Sequence, residues 1–505
     1  MNVTHPESPD RRAFLQRSAQ LAFTGAALPT LLNLAAMGDA AAFSAPDGSY
    51  KALVCIFLYG GSDYANTVVT YDDASHTAYS TIRTSIAIPK ANLANTLLSP
   101  TTALPSGRQY AFHPSMPDLT NLFNTGKAAV QLNVGPLIVP ITKAQYNGSN
   151  RTLYPLPPKL FSHNDQQSLW QSTYPEGSTI GWGGDIGDLA LTYNTNSLFT
   201  CISITGNSVF LSGDSALAYQ VSSGGAVKIN ATSNNVYGSG NVRSVISQLA
   251  QQPRAHIFEN EYNRVVTRAI GAETAITAAI ATGQAADGAS NTAGVNTFSP
   301  FTNTVLSGNN LASQLKMVAR LIAARTSLGA KRQVFFVSAG GYDLHDNLIA
   351  GQTENMTELN NALNAFYQTT VNLGVADKVT SFTASDFGRT LTSNGDGSDH
   401  GWGGHHIIVG GAVKGKEFYG YAPPVSVGNT AIAEDQWHVG QGRLLPTASV
   451  DQYAATLATW FGVNPVPPTV GALSELDTIL PNLRNFGVTV GSINYPKNLG
   501  FMLAP

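Results

Sequence analysis

Strand-length apolar runs that end on glycine and an acid recur through this chain, and they restrict its fold more than anything else in it. Residues 51–63 read KALVCIFLYGGSD, and residues 332–343 read RQVFFVSAGGYD. Residues 378–388, KVTSFTASDFG, close on Asp386. AAVQLNVG (128–135) and HIIVGGAV (406–413) are two further runs of the same kind. A strand with one wet face alternates apolar and polar residues. An unbroken run indicates a strand covered on both faces, as in parallel sheets.

Helical periodicity falls between the runs. In LASQLKMVARLIAARTSLG, Leu311, Leu315, Val318 and Ile322 share a face, and Gly329 closes the segment. TELNNALNAFYQTTVNLG places Leu359, Leu363 and Phe366 together before Gly374. SVDQYAATLATWFGV opens with a capping box from Ser449 to Gln452 and buries Tyr453, Leu457 and Trp460. Strands alternating with helices predict an α/β fold with a mostly parallel central sheet covered on both sides. Residues 205–310 break the pattern. They are rich in Ser, Gly, Ala, Asn and Thr, with one long helical stretch near 243–283, and read as a helical insertion or cap. The chain thus divides into 1–42, 43–204, 205–310 and 311–505.

Residues 1–42 read as an export signal. Arg11-Arg12 precede Phe14-Leu15, then a weakly apolar stretch and the small residues DAAAFSA. This is the order of a twin-arginine signal cleaved near Ala42, with the twin-arginine translocase as its partner and a periplasmic or secreted destination. The bland alternative is an amphipathic N-terminal helix. No other uninterrupted apolar run reaches about 18 residues, so the mature chain should carry no membrane span. Net charge is −3 and only 12% of residues are charged. There is no long basic run, which argues against a nucleic-acid partner. The two cysteines, Cys55 and Cys201, allow one disulfide, although Cys55 sits in an apolar run as a buried hydrophobe would.

In an open parallel sheet, ligands gather at the carboxyl ends of the strands. Asp63, Asp343 and Asp386 follow three such ends. Each alone could be a turn former. Together they need a cation, a proton or an arginine between them. Four of the ten histidines, His345, His400, His405 and His406, lie between 345 and 406. Three of these fall in or beside the glycine-rich run SNGDGSDHGWGGHH (393–406). Within it Asp399 and His400 can face the strand ends, whereas Asp396 reads as a turn residue. Mixed imidazole and carboxylate suits zinc, manganese or iron, whereas calcium takes oxygen ligands. An EF-hand alignment from Asn394 puts His405 where a glutamate is needed and lacks flanking helices. The expected ligands of one or two divalent ions are therefore Asp63, Asp343, His345, Asp386, Asp399 and His400. Ser162 and His163 stand at the start of a helical pattern, FSHNDQQSLW, where a serine could be a nucleophile or simply an N-cap with Asp165. Arg389 is the candidate anion clamp.

The motifs GGSDYANTVV (60–69), FHPSMPDL (112–119), FSHNDQQSLW (161–170), GWGGDIGDL (181–189), SAGGYDLHDN (338–347), SDFGRT (385–390), SDHGWGGHHIIVGG (398–411) and PTASVDQYAATLATWFGV (446–463) occur in this order. As a set they resemble domain-of-unknown-function family 1501, exported proteins placed with the alkaline-phosphatase and sulfatase superfamily. The resemblance implies an α/β/α sandwich and a phosphate- or sulfate-ester hydrolase with two divalent metals and a serine, threonine or formylglycine nucleophile. On that pattern Asp63, Asp343, Asp386 and His400 or His405 match metal ligands, and Ser162 matches the nucleophile. This chain departs from it: Asp-x-x-x-His is Asp-x-His here, with Asn347 where a histidine should stand, and the later Asp-His pair is Asp386-Phe387. No Cys-x-Pro-x-Arg stretch occurs, which argues against a formylglycine sulfatase. Two functions follow from these readings. One is a metal-dependent hydrolase of a small-molecule or glycan ester; the other is a non-catalytic exported scaffold, envelope-assembly or glycan-binding protein that keeps the fold.

Overall fold

The computed structural model describes residues 49–284, 299–469 and 471–504. The twin-arginine segment lies outside them. Each apolar run forms a strand: β1 (Lys51–Leu58), β2 (Ala128–Gly135), β6 (Arg332–Ala339), β7 (Val379–Ser385) and β8 (Gly404–Gly410). Short strands extend the sheet: β3 (Cys201–Ser203), β4 (Tyr219–Ser222), β5 (Gly225–Ala226), β9 (Phe418–Tyr419) and β10 (Ala448–Ser449). Their order is β9-β2-β8-β7-β1-β6-β3-β4-β5, with β10 also paired to β2.

Why the runs are continuously apolar is visible in β1. Ala52, Val54, Ile56 and Leu58 enter one core, and Leu53, Cys55 and Phe57 enter another on the opposite face. Successive side chains of a strand point to opposite faces, so a strand between two cores must be apolar at every position. The first face is covered by the helices Pro117–Asn124, Asn310–Ala323 and Leu348–Asn372, the second by Trp182–Ala190 and Val450–Phe461. This is an α/β/α sandwich. Leu311, Leu315, Val318 and Ile322 are all buried, as their spacing predicts. At about 25 cal/mol per Å² of apolar surface, each such leucine contributes roughly 1.5–3 kcal/mol. Both halves of the Ser449–Gln452 capping box form. Cys55 and Cys201 are free thiols buried in the second core, so no disulfide joins them.

One expectation needs correction. The helical stretch near 243–283 is two helices, Gly240–Gln251 and Ile257–Gln284, because Pro253 lies between them and cannot continue the first. The 205–310 segment also contributes strands: β4 pairs with β3, and Ala272, Ile276 and Ala279 of the second helix join the first core. The sheet is mostly parallel, as expected: β1 is parallel to β6 and β7, and β8 is the one long strand among the described residues that runs antiparallel to its neighbours, β7 and β2. No helix lies between β7 and β8, and a direct return to a neighbouring strand must be antiparallel. Residues 386–403 are therefore a loop that leaves and re-enters the sheet at the same edge, and the glycine-rich run ends inside β8.

Candidate metal centre

Strand register decides where the acids meet. Leu58 is level with Ala339 on one side and Ser385 on the other. The three chains therefore leave the sheet at one height, carrying Asp63, Asp343 and Asp386 with them. Gly60 makes the first turn at φ +116, and a Cβ there would overlap the backbone of Asp343. Its N–H donates to Asp386 Oδ2 at 3.2 Å. Gly397 lies so close to the His345 backbone that a Cβ would overlap it, which brings the glycine-rich loop down onto this edge.

Three histidines converge here on Asp343. His163 Nε2 is 3.5 Å from Asp343 Oδ2, and His345 Nε2 and His400 Nε2 are 3.1 and 3.3 Å from Asp343 Oδ1. The Nε2 atoms of His345 and His400 are 3.0 Å apart. Each ring is held from behind by its other nitrogen. His163 Nδ1 lies 2.6 Å from Asp386 Oδ2, His400 Nδ1 2.8 Å from the Phe161 carbonyl and His345 Nδ1 3.3 Å from Asp399 Oδ1. Carboxylates and carbonyls only accept, so each Nδ1 donates its proton outward and each Nε2 faces inward, where its lone pair would be offered to a metal ion. Inward lone pairs 3.0 Å apart repel unless a cation or a proton lies between them.

The arrangement meets what a transition ion asks of a protein. Ligand atoms placed about 2.0–2.1 Å from a tetrahedral ion stand roughly 3.3 Å from one another, and the contacts to Asp343 and between His345 and His400 lie at 3.0–3.5 Å. Outward Nδ1–H bonds to carboxylate or carbonyl are the usual support of metal-ligating histidines. His163, Asp343 and His400 offer ligand atoms within 4.8 Å of one another, the single such group of three or more among the described residues. The Nε2 of His345 joins them through its contacts with Asp343 and His400. A set of three nitrogens and a carboxylate suits zinc or a similar ion better than calcium or magnesium.

Electrostatics reinforce the convergence. The hydrogen bond to Asp386, together with its charge, raises the His163 pKa above the ordinary value despite partial burial. Burial pushes Asp343 up, but the Arg389 hydrogen bond and charge outweigh it and hold the carboxyl low. Burial, aided by His163 and Arg389, lowers the pKa of His400. The Phe387 ring lies 4.9 Å from the His163 ring and 4.6 Å from the His400 ring, and forms an apolar wall where the resemblance would have put a histidine.

The other sequence candidates have different duties. Asp63 is 2% exposed. Its carboxylate accepts from Arg83 at 2.6 Å, from Ser398 at 3.0 Å and from the Asn66 N–H at 2.9 Å. It is thus an N-cap paired with a buried arginine, and lies outside the histidine cluster. Arg389 is fully buried and donates to Asp343 at 2.5 Å, to Gly60 O, and to Ser398 Oγ and O. It ties three loops together and is closed to a substrate anion. Asp386 and Asp399 stand behind His163 and His345. Asp386 also accepts from Gln167, one turn along the helix His163–Ser172 from His163, while its Oδ1 is buried without a partner. Ser162 occupies the N-cap position of that helix, but its hydroxyl donates to Asp165 Oδ2 at 2.8 Å and leaves the backbone uncapped. Asp396 accepts the Asn347 N–H at the head of the helix Leu348–Asn372. His405 and His406 are both within β8 and buried, and burial pushes each down to about 3.

His163 sits in the cluster itself, which its position one residue after a candidate nucleophile does not reveal; the i, i+4 pairing with Gln167 is the available clue. Arg443 carries no such clue. Its Nε donates to the His400 carbonyl at 2.7 Å, and its guanidinium lies 5.1 Å over the Phe161 ring. A comparison with curated proteins gave no match. The family described as a protein of unknown function (DUF1501) matches residues 50–441, and the chain belongs to that family.

Proposed function

We propose that this chain hydrolyses phosphate or related esters with one divalent transition ion held by His163, His345, His400 and Asp343. The observation that carries the reading is the inward convergence of three Nε2 atoms on one carboxylate, each ring braced from outside. When bound, the ion supplies Lewis acidity toward a phosphoryl or carbonyl oxygen. The chain supplies the rest. Asp386, Asp399 and the Phe161 carbonyl fix the rings, and Arg389 fixes Asp343. Ser162, one residue from His163, is the nucleophile; Asp165 accepts its hydroxyl proton in the resting state and can take it as the oxygen attacks. Arg443, anchored to His400, provides the positive charge for an anionic ester in place of Arg389. The export signal and kinship with the alkaline-phosphatase and sulfatase superfamily belong to this proposal, supported by the arginine pair at 11–12 and by the acids on the carboxyl edge of the sheet.

A second reading, a non-catalytic scaffold, is favoured by Asp63 and Arg389, whose polar atoms are satisfied within the protein. Metal analysis of protein exported by its own route separates the two. About one zinc or manganese per chain, with turnover of an aryl phosphate lost and metal kept in Ser162→Ala, supports the hydrolase. Less than ~0.1 metal per chain, with stability unchanged by chelator, leaves the scaffold.

A further inference from the structure

A cavity of about 240 Å³ lies away from the histidine cluster, walled by Lys143, Trp437, Leu445, Thr447, Ile493 and Tyr495 among others. The last four lie beyond residue 441, where the family match ends. Its walls are mainly apolar and aromatic, yet Lys143 among them lacks what burial demands. Lys143 is 6% exposed. The one acceptor its amino group has among the described residues is the Asp435 carbonyl, 2.8 Å away. The Asp435 carboxylate is engaged elsewhere, by the Ser426 hydroxyl and by the N–H and hydroxyl of Thr430. A buried cation with one neutral acceptor is costly. A ligand that brings an anionic oxygen satisfies it.

We propose that this cavity binds a small organic acid, with its carboxylate on Lys143 and an apolar, ring-sized body between Trp437, Tyr495 and Leu445. Size agrees, since a cavity of roughly 150 Å³ lined by aliphatic and aromatic side chains already admits benzene. Apolar walls with a few converging polar groups are the ordinary make-up of small-molecule sites. The site is independent of the histidine cluster and of the hydrolase reading.

Calorimetry on the full chain with benzoate, cyclohexanecarboxylate and the neutral analogue benzamide tests this. Benzoate should bind at least ten times more tightly than benzamide. Lys143→Gln should remove that preference. Tryptophan fluorescence of the wild type is a second measurement that needs no folded Lys143 variant. Benzoate should quench it, benzamide should do so only at much higher concentration, and Trp437→Phe should abolish the response. Equal binding of benzoate and benzamide, failure of any acid to bind, or benzoate affinity unchanged in a folded Lys143→Gln protein overturns the proposal.

Discussion

Replacing Asp63 by asparagine separates a structural acid from a metal ligand. In the structure Asp63 faces Arg83 at 2.6 Å, with the two side chains 2% and 0% exposed. Arg83 has no other carboxylate: its further hydrogen bond is a long one to the Thr390 carbonyl at 3.4 Å, and its Nε is buried without a partner. The amide of the variant would keep an acceptor for Ser398 and the Asn66 N–H but would leave the guanidinium uncompensated. Breaking a buried pair from one side costs about 3–5 kcal/mol. A melting entropy of about 2.1 cal/mol/K per residue over roughly 440 folded residues gives about 0.9 kcal/mol/K, so Tm should fall by roughly 3–5 °C. The double variant Asp63→Asn/Arg83→Met should recover part of the loss, because it removes the stranded charge. Calorimetric melting together with metal per chain by mass spectrometry is the assay. Metal content should equal that of the wild type. If Asp63→Asn loses its metal while Tm stays unchanged, Asp63 is a ligand and the boundary of the site drawn above is wrong.

Asp386→Asn removes the carboxylate behind His163 and should weaken zinc binding about 10–100-fold while the far-ultraviolet circular dichroism is kept, as read by calorimetric titration. Arg443→Gln should raise KM for an aryl phosphate by roughly tenfold or more, the worth of one charged hydrogen bond, with metal content unaltered; an unchanged KM removes Arg443 from substrate binding. Burial pushes Asp451, which is 2% exposed, up to about 7, and one of its oxygens has no partner. A carboxyl whose folded pKa is raised stabilises fully below its unfolded pKa near 4, and that contribution is lost as pH rises through 7. Asp451→Asn should therefore be more stable than the wild type at pH 8, by on the order of 4 kcal/mol, with the gap narrowing toward pH 4. A gap that does not depend on pH would show that Asp451 is already ionised in the folded state.

The central sheet was readable because burial on both faces leaves a direct trace, most complete in β1, where every position from Ala52 to Leu58 is apolar; β2, β6, β7 and β8 keep enough apolar positions to be recognised although buried polar residues such as Gln131, Gln333, Thr383 and His406 interrupt them. The trace does not fix direction, and β8 is antiparallel because of what the intervening loop lacks, a crossover helix. The edge on which the acids gather was likewise legible, and Asp343, His345 and His400 do meet there. What could not be read is which acid already has a partner. Arg83 ends the helix Asp73–Arg83, twenty positions after Asp63, and nothing in DASHTAYSTIR marks it as a counter-ion. Arg389 lies three residues from Asp386 yet bonds to Asp343, a pairing set by the three-dimensional level of two strand ends. His405 and His406 look like ligands in the glycine-rich run, but the strand begins at Gly404 and carries both into the core.

The loop that brings Asp399 and His400 to the cluster begins and ends at one edge of the sheet, between neighbouring strands. Its length is therefore uncoupled from sheet register: residues can be added or removed between Thr390 and Gly397 while β7 and β8 stay paired, at an entropic cost that grows only slowly with loop length. Such a segment can be exchanged between relatives as a cassette. Its far end holds His400. If the proposed hydrolase reading holds, grafting a longer or shorter loop between Thr390 and Gly397 should change the size of ester turned over without relocating His163 or Asp343.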